Sequence, residues 1–248
     1  MCVLRLQEVG SALPADRVRP PAHADHTMIS AGIRGLTGMT TFLNISMSLD
    51  GFVAGPNATM EEPLGEGGEE LHEWILVLKG WREQHGLEGG ETGTDDDLVR
   101  ETHDRTGAFV MGRRMFSGGE GPWENDPKPS GWWGDDPPFD GPVFVVTHHA
   151  REPLTLGSTT YTFVDGVEEA IRQAREAAGE RDVQVSGGGA VAQQALDAGL
   201  LDELQLHVAP VLLGDGVRLF EAPQRRPIEL TSVIGSPRVT HLAYRVGG

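Results

Sequence analysis

Cysteine is almost absent from this chain. Its 248 residues include one cysteine, Cys2, which excludes an internal disulfide and a zinc site built from several cysteines. Such cysteine usage is typical of a reducing compartment, so we expect a cytoplasmic protein. No apolar run approaches the roughly 18 residues that cross a bilayer, and the N-terminus lacks the apolar core of a secretion signal. The sequence therefore predicts no association with membranes.

Positive charge is also scarce. The chain has 20 Lys and Arg against 37 Asp and Glu, a formal net charge of −17. A nucleic-acid surface would have to overcome this repulsion, so no nucleic-acid partner is expected. An anionic ligand would need a local group of cations and backbone amides.

Several catalytic motifs are missing. A Walker lysine, a G-x-S-x-G elbow and an H-E-x-x-H helix are all absent, which sets aside the corresponding NTPase, hydrolase and zinc-protease classes. The acidic runs Asp95–Asp97 and Asp135–Asp136 have no further ligands at useful spacing, so we interpret them as solvated loops and predict no metal site.

The chain divides near residue 38. Residues 1–38 lack periodicity and contain Pro14, Pro20 and Pro21, which favours a disordered extension. Clear periodicity begins at Met39, so the predicted domain covers residues 39–248. A functional start at Met39, preceded by residues from an upstream start codon, would explain the difference.

Strands alternate with helices and are followed by a run of strands. This order predicts an α/β fold with a mixed, mostly parallel central sheet and an antiparallel C-terminal edge. Residues 117–142 form a long loop rich in Gly, Pro, Asp and Trp, which is typical of lids, binding loops or disorder. The predicted strands are Thr40–Met47, Ala108–Met111, Val143–Val146, Tyr161–Val164, Asp182–Ser186, Glu203–Ala209, Glu229–Ile234 and Val239–Val246. The predicted helices are Glu69–Leu78, Leu98–Asp104 (capped by Thr94), Val167–Ala178 and one after the triple glycine.

The triple glycine Gly187–Gly189 joins a predicted strand to a helix. Glycines let the backbone approach a ligand closely, and the first helical turn offers unpaired N–H groups and a positive dipole end. Gly187, Gly189 and Ala192 also fit G-x-G-x-x-G/A, a pattern that is weak alone. A phosphate site and a tight turn without a ligand are both consistent with this segment.

Two other strands end in groups that suit an anionic ligand. Arg113 and Arg114 offer guanidinium groups for bidentate phosphate binding, and Thr147 with His148 and His149 offers a hydroxyl and imidazoles. Ligands collect at the carboxyl ends of strands in open α/β sheets. Together the three ends suggest an adenine dinucleotide with an extra 2′-phosphate. The alternatives are surface ion pairs for the arginines and solvent-facing histidines.

Four segments resemble the dihydrofolate reductase-like superfamily, in particular the reductase domain of the bifunctional riboflavin-biosynthesis deaminase–reductase. The resemblance runs from about Met39 to the C-terminus, with the motifs in the family's order, although each motif alone is weak. The deaminase partner domain has no counterpart, since no H-x-E with a downstream P-C-x-x-C exists. The segments are Asn44–Gly55, Val110–Phe116, Val143–Thr147 and Ser186 to Gly216 with its Gly-Gly-Gly and Leu-Leu-Asp-Glu-Leu motifs.

The resemblance implies a three-layer α/β/α fold, NADPH as cofactor and hydride transfer to a small heterocyclic substrate. It places the Ser48–Gly51 turn at the substrate, and Ser186 stands where pyrimidine reductases have a substrate-contacting glutamate. It also implies a homodimer. By position, the coenzyme contacts would be Met47 at the nicotinamide ribose, Gly112, Arg113 and Arg114 at phosphate, Thr147 and His148 on the adenosine side, and Ser186, Gly187, Gly188, Gly189, Ala190 and Val191 at the pyrophosphate.

Asp50 is the candidate proton donor. It follows the first strand of the domain, and an apolar wall from Met47, Leu49 and Phe52 would raise the pKa of its carboxyl toward useful values. The competing interpretation is turn chemistry, because Asp-Gly pairs favour turns by themselves.

Four aromatic residues of the long loop also have two interpretations. They could stack on a planar heterocycle and exclude water, or they could anchor the loop to the core. These residues are Trp123, Trp132, Trp133 and Phe139.

The leading function is an NADPH-dependent reductase related to the pyrimidine reductase of riboflavin biosynthesis. Dihydrofolate reduction and a non-catalytic nucleotide-binding module are the alternatives. The apolar stretch Leu204–Leu213 is either a dimer interface or an interior strand and its exit.

Overall fold

A computed structural model describes residues 29–30, 38–60, 62–126 and 128–247. Most of the predicted N-terminal extension therefore lies outside the described residues. Within it, Ile29 and Ser30 form a two-residue strand that pairs antiparallel with Val233 and Ser232.

A large β-sheet organises the domain. In chain order the described strands are β1 (Ile29–Ser30), β2 (Thr41–Ser48), β3 (Phe52–Ala54), β4 (Thr106–Gly112), β5 (Val143–Val146), β6 (Leu154–Leu156), β7 (Thr159–Val164), β8 (Asp182–Gly187), β9 (Glu203–Ala209), β10 (Val217–Arg218), β11 (Ile228–Gly235) and β12 (Thr240–Val246). Ten of them form one sheet with the order β1-β11-β12-β9-β2-β8-β4-β5-β7-β6, while β3 and β10 form a separate two-stranded sheet.

The centre of the large sheet is parallel. Strands β9, β2, β8, β4, β5 and β7 pair in parallel with their neighbours. Strands β12 and β11 extend the β9 side antiparallel, and the short β6 pairs antiparallel with β7. The predicted α/β fold with a mostly parallel sheet and an antiparallel C-terminal edge is confirmed. The sequence pattern missed β6 at the opposite edge, as well as β3 and β10.

Helices and a long loop cover the two faces of the sheet. The α-helices are α1 (Glu73–Leu76), α2 (Lys79–Gln84), α3 (Thr94–Arg105), α4 (Arg113–Ser117), α5 (Val167–Ala178) and α6 (Gly189–Asp197), with 3-10 turns at Gly68–His72 and Trp123–Asn125. None of the helices in the described part of the chain has the length and apolar character that crossing a bilayer requires.

Strand β4 shows why the central strands are apolar throughout. Ala108 and Val110 belong to the core beneath α5 and α6, whereas Phe109 and Met111 belong to the core on the opposite face. Successive side chains of a strand point to opposite faces, so a strand covered on both sides must be apolar at every position. The result is the three-layer arrangement.

The predicted helix Glu69–Leu78 is broken into three short pieces. A 3-10 turn covers Gly68–His72, α1 follows, and α2 starts only after Leu78, whose backbone is extended at ψ 140°. The amide of Lys79 donates to the carbonyl of Glu91 at 2.8 Å, and this tertiary bond replaces the helical one. The apolar spacing alone could not reveal the interruption.

Helix α3 corrects two predictions. The helix begins at Thr94 itself, after Gly93, and Thr94 makes no side-chain cap. The Asp95–Asp97 run is the first turn of this helix, where carboxylates suit the positive end of the dipole. Asp96 is buried and accepts hydrogen bonds from the Gly80 amide at 2.5 Å and from Arg100 at 3.0 Å, so it is not part of a solvated loop.

The long loop 117–142 is anchored by its aromatic rings. Phe139 is buried and packs edge-on against Phe109, and Trp133 packs against Phe139. Trp123 packs edge-on against Phe163, and the indole N–H of Trp132 donates to the Met115 carbonyl at 2.8 Å. These contacts match the anchoring interpretation and leave the rings turned toward the core.

Candidate functional site

Four neighbouring parallel strands end at one edge of the sheet. In spatial order, β2 ends at Ser48, β8 at Gly187, β4 at Gly112 and β5 at Val146. The three segments singled out by the sequence therefore follow adjacent strands. In an open α/β sheet this edge is where ligands bind.

The glycine turn lies in the middle of this edge. Gly187 has φ +120°, the Gly187–Gly188 peptide is cis, and α6 begins at Gly189. The carbonyl of Gly188 accepts the amides of Val191 at 3.0 Å and Ala192 at 3.1 Å. The first amides of a helix have no carbonyl partner within it. Gly188 is exposed, and a Cβ added there would meet no atom within 4 Å. The turn thus presents bare backbone to open space.

Gly112 packs directly against this turn. A Cβ at Gly112 would lie 3.1 Å from Cγ2 of Val191 and 3.6 Å from the amide nitrogen of Gly188. The structure therefore brings together Gly112 and the start of α6, which are distant from each other along the chain.

Asp50 lies in the turn between β2 and β3. Its carboxylate accepts hydrogen bonds from Ser48 Oγ at 2.6 Å, the Leu213 amide at 3.1 Å and the Gly214 amide at 2.7 Å. The bond from Ser48 is the main reason that the pKa of Asp50 is lowered; slight burial opposes it, and the two amides reinforce it. The expectation of a raised pKa is wrong, since Leu49 is 67% exposed and builds no apolar wall. The geometry corresponds to turn chemistry.

Two exposed apolar side chains flank the Asp50 turn. Leu49 is 67% and Leu212 69% exposed, and the Leu49 amide donates to the Val211 carbonyl at 2.9 Å. The 211–214 segment is therefore tied to the turn at the end of β2. Leu49 and Leu212 are thus exposed leucines in two segments that this hydrogen bond joins.

Arg218 is a cation at this edge that the sequence interpretation missed. Its Nη1 donates to the Asp50 carbonyl at 3.2 Å, and its guanidinium lies 4.3 Å from the centre of the Phe52 ring. Its carbonyl oxygen would lie 2.9 Å from a Cβ at Gly189, so the residue borders the start of α6. Only the pairing of β10 with β3 brings it here, and no local pattern indicates that pairing.

Arg113 is buried rather than open to a ligand. It forms an ion pair with Asp126, donates a hydrogen bond to Ser117 Oγ, and stacks 3.4 Å from the centre of the Trp123 ring. Burial lowers the pKa of Arg113, and Asp126 opposes that effect. Burial disfavours the ionised form of Asp126, but hydrogen bonds from Ser117, the Lys128 amide and Arg113 outweigh this effect and lower the pKa of Asp126.

The neighbouring polar side chains are also paired. The exposed Arg114 bonds to Glu120, and His148 Nδ1 lies 2.7 Å from Oδ1 of Asp165. Thr147 is buried, and its Oγ1 accepts the His149 amide at 3.1 Å. The structure thus matches the surface ion-pair interpretation for Arg114 and places His148 in solvent.

Two further predicted positions lie close to the turn. Met47 is half-buried near the end of β2 and packs against the core beneath α6. Ser186 is half-buried at the end of β8, and its Oγ accepts a hydrogen bond from Gln184 Nε2 at 3.0 Å.

A buried polar chain lies on the opposite side of β2 and β9 from α6. His207 Nδ1 lies 2.7 Å from His241 Nδ1, His241 Nε2 lies 3.2 Å from Asp95 Oδ1, and His207 Nε2 lies 3.1 Å from Asn44 Oδ1. Burial, followed by the charges of His241 and His72, lowers the pKa of His207 to about 3. This imidazole is therefore neutral in the folded protein near neutral pH.

The architecture defines a three-layer α/β domain with a glycine turn and a helix N-terminus at the ends of parallel strands. Comparison with known families identifies it further. The RibD C-terminal domain family matches residues 40–240, and the chain belongs to this family.

Known proteins show the same relationship. A riboflavin biosynthesis protein RibD from Corynebacterium ammoniagenes is 36% identical over 90 residues, which cover 36% of this chain and 25% of that protein. The matched stretch is thus a quarter of the relative's length. A crystal structure of a candidate riboflavin biosynthesis protein from Shewanella sp. PV-4 has a TM-score of 0.56 at 20% identity, covering 85% of this chain and 100% of the other. This likeness shows a shared fold.

Proposed function

We propose that this chain is an NADPH-dependent reductase of a small heterocyclic substrate, related to 5-amino-6-(5-phosphoribosylamino)uracil reductase. Membership of the RibD C-terminal domain family supports the proposal. The single structural observation that carries it is the exposed Gly188 turn at the start of α6, bordered by Gly112 and by the cation Arg218.

The diphosphate of a dinucleotide fits this turn. Bare backbone at Gly188, the unpaired first amides of α6 and the positive end of its dipole are all suited to an anion. In a molecule of net charge −17 such a site must be local. In the proposal the coenzyme contacts are Ser186, Gly187, Gly188, Gly189, Ala190 and Val191 at the pyrophosphate, Met47 at the nicotinamide ribose, Gly112, Arg113 and Arg114 at phosphate, and Thr147 and His148 on the adenosine side.

The coenzyme supplies the hydride when bound, and the chain supplies positioning and electrostatics. Because the lowered pKa keeps Asp50 ionised near neutral pH, the proposal gives its carboxylate a positioning role in place of the role of proton donor. Through its bonds to the amides of residues 213 and 214, the Asp50 carboxylate holds this segment beside the turn between β2 and β3. In the proposal the exposed side chains of Leu49 and Leu212 offer apolar surface to a planar ring of the substrate. We assign proton delivery to water at this open edge.

The test is coenzyme oxidation, measured as the loss of NADPH absorbance with two substrates. Oxidation with the ribosylaminopyrimidine and none with dihydrofolate supports the proposal, whereas the opposite preference identifies a dihydrofolate reductase. A non-catalytic module would bind NADPH saturably, as seen by energy transfer from tryptophan, but would not oxidise NADPH with either substrate. An absence of both binding and oxidation would reject all three.

We also propose a cytoplasmic homodimer. Its location is supported by the single cysteine, Cys2. Residues 203–209 cannot form its interface, because β9 is an interior strand between β2 and β12 with Leu204 and Leu206 in the core. Ile228 and Leu230, exposed by 46% and 53% on β11, are better candidates. Sedimentation velocity distinguishes a dimer from a monomer, and Leu230→Lys should shift a dimer toward the monomer.

A further inference from the structure

Three side chains, those of Asp126, Ser117 and Trp123, contact the guanidinium of Arg113. Asp126 has a side chain with 0% exposure and pairs with Arg113, whose side chain is 9% exposed. Ser117 Oγ donates to Asp126 Oδ2 at 2.7 Å, and the Lys128 amide donates to Oδ1 at 2.8 Å. Gly119 lies against this carboxylate so closely that a Cβ there would collide with it. The Asp126 carboxylate is therefore a buried anion of the protein itself, held by several hydrogen-bond donors.

Asp126 pairs with Arg113, to which the proposed function gives the extra phosphate of the coenzyme. A carboxylate and a phosphate monoester offer a guanidinium the same pair of acceptor oxygens, so only one of them can use a given face of it. Arg113 follows β4 directly at the ligand-binding edge, and its partner Asp126 comes from the long loop.

A second guanidinium group, that of Arg151, lies near the pair. Arg151 lies 4.5 Å from the centre of the same Trp123 ring that Arg113 contacts at 3.4 Å. The pKa of Arg151 is lowered, first by burial and then by the charge of Arg113. One carboxylate thus balances two guanidinium groups, and neutralising it would leave a site that attracts another anion.

We propose that Asp126 is a specificity residue: it substitutes internally for the 2′-phosphate of NADPH and competes with that phosphate for Arg113. This inference rests on the proposed coenzyme. Through this competition Asp126 lowers the preference for NADPH over NADH. It lies in the long loop, whereas the rest of the proposed coenzyme site lies at the strand ends.

The test compares the dissociation constants of NADPH and NADH, read by energy transfer from tryptophan, in the wild type and in Asp126→Asn. The near-isosteric amide removes the charge, so the preference for NADPH should rise about tenfold, the change expected when one charge-assisted hydrogen bond becomes available to the ligand. The matched control is Glu124→Gln, which neutralises an exposed carboxylate two residues before Asp126. Because exposed charges are screened, this variant should change the preference less than about twofold.

Ser117→Ala provides a second route if Asp126→Asn does not fold. It removes one donor to Asp126 and leaves the charge, so the preference should move in the same direction by a smaller factor. An unchanged or reduced preference for NADPH, in proteins that still bind both coenzymes, would overturn the role of Asp126 alone. Failure of both coenzymes to bind the wild type would overturn the proposed function and this inference with it.

Discussion

Ala190 offers a direct probe of the phosphate site, because a charge placed there has opposite consequences for folding and for binding. It is exposed and is the second residue of α6, one position beyond the Gly187–Gly189 turn. An acidic side chain in the first turn stabilises a helix by about 0.3–1 kcal/mol, which offsets the lower helix propensity of Asp relative to Ala. The free energy of unfolding of Ala190→Asp should therefore stay within about 0.5 kcal/mol of the wild type.

Binding of the coenzyme should respond differently. A carboxylate about 5 Å from a bound phosphate repels it by about 3 kcal/mol at an effective dielectric constant of about 20, and salt reduces this by about half. The dissociation constant of NADPH should rise about 10- to 150-fold. Calorimetric titration at two salt concentrations measures the effect, which should shrink at the higher one.

Two control variants isolate the charge. Ala190→Asn has the size of aspartate without its charge and should bind NADPH nearly as the wild type does. Gln194→Glu adds the same charge one turn further along the exposed face of α6, so its effect should be smaller. Unaltered binding by Ala190→Asp would refute the placement of the pyrophosphate at this turn. Equal losses in the Asp and Asn variants would refute the electrostatic reasoning.

Three further predictions concern stability and the proton. His207 has a folded pKa of about 3 against an ordinary 6.5, so the unfolded chain binds more protons between these values. The free energy of unfolding should therefore fall as pH falls below about 6.5, by up to about 1.4 kcal/mol per pH unit from this residue. Urea unfolding at pH 7, 6 and 5 measures this dependence, which should be weaker in His207→Gln than in the wild type. The same pH dependence in both proteins would contradict the assignment. Asp50→Asn should leave the pH dependence of turnover between pH 5 and 9 in place, because the lowered pKa of Asp50 keeps it ionised; loss of an acidic limb would identify it as the proton donor. Gly112→Ala puts a methyl group 3.1 Å from Val191 Cγ2 and should lower the free energy of unfolding, measured by thermal unfolding, by about 1–3 kcal/mol. Adding Val191→Ala to this variant should restore part of the lost stability. A Gly112→Ala protein as stable as the wild type would show that the contact is not tight.

Local pattern was sufficient where one physical requirement decided the structure. The strand Val143–Val146 and the helix Val167–Ala178 have the predicted bounds. The strand must be apolar on both covered faces, and the helix must bury one stripe of Val, Ala and Ile. The glycine turn was also predictable, because three glycines between a strand and a helix have few other uses.

Tertiary contacts decided the rest. The pKa of Asp50 is lowered first by Ser48, two residues away, and further by the amides of residues 214 and 213, which lie 164 and 163 positions away. Asp126 lies in a loop without periodicity, so nothing in the sequence pairs it with Arg113. Leu78 interrupts a helix whose apolar spacing is regular, because Glu91 offers its neighbour a different hydrogen bond. In each case a group distant in sequence altered a residue whose local pattern had another meaning.

The central claim is that the glycine turn Gly187–Gly189, at the start of α6, receives the diphosphate of a reduced nicotinamide coenzyme. Calorimetric titration of the wild-type protein with NADPH tests it most directly, with Ala190→Asp titrated in parallel. The account predicts saturable heat for the wild type and a much weaker isotherm for the variant. Absence of heat and of saturation at millimolar NADPH would contradict it.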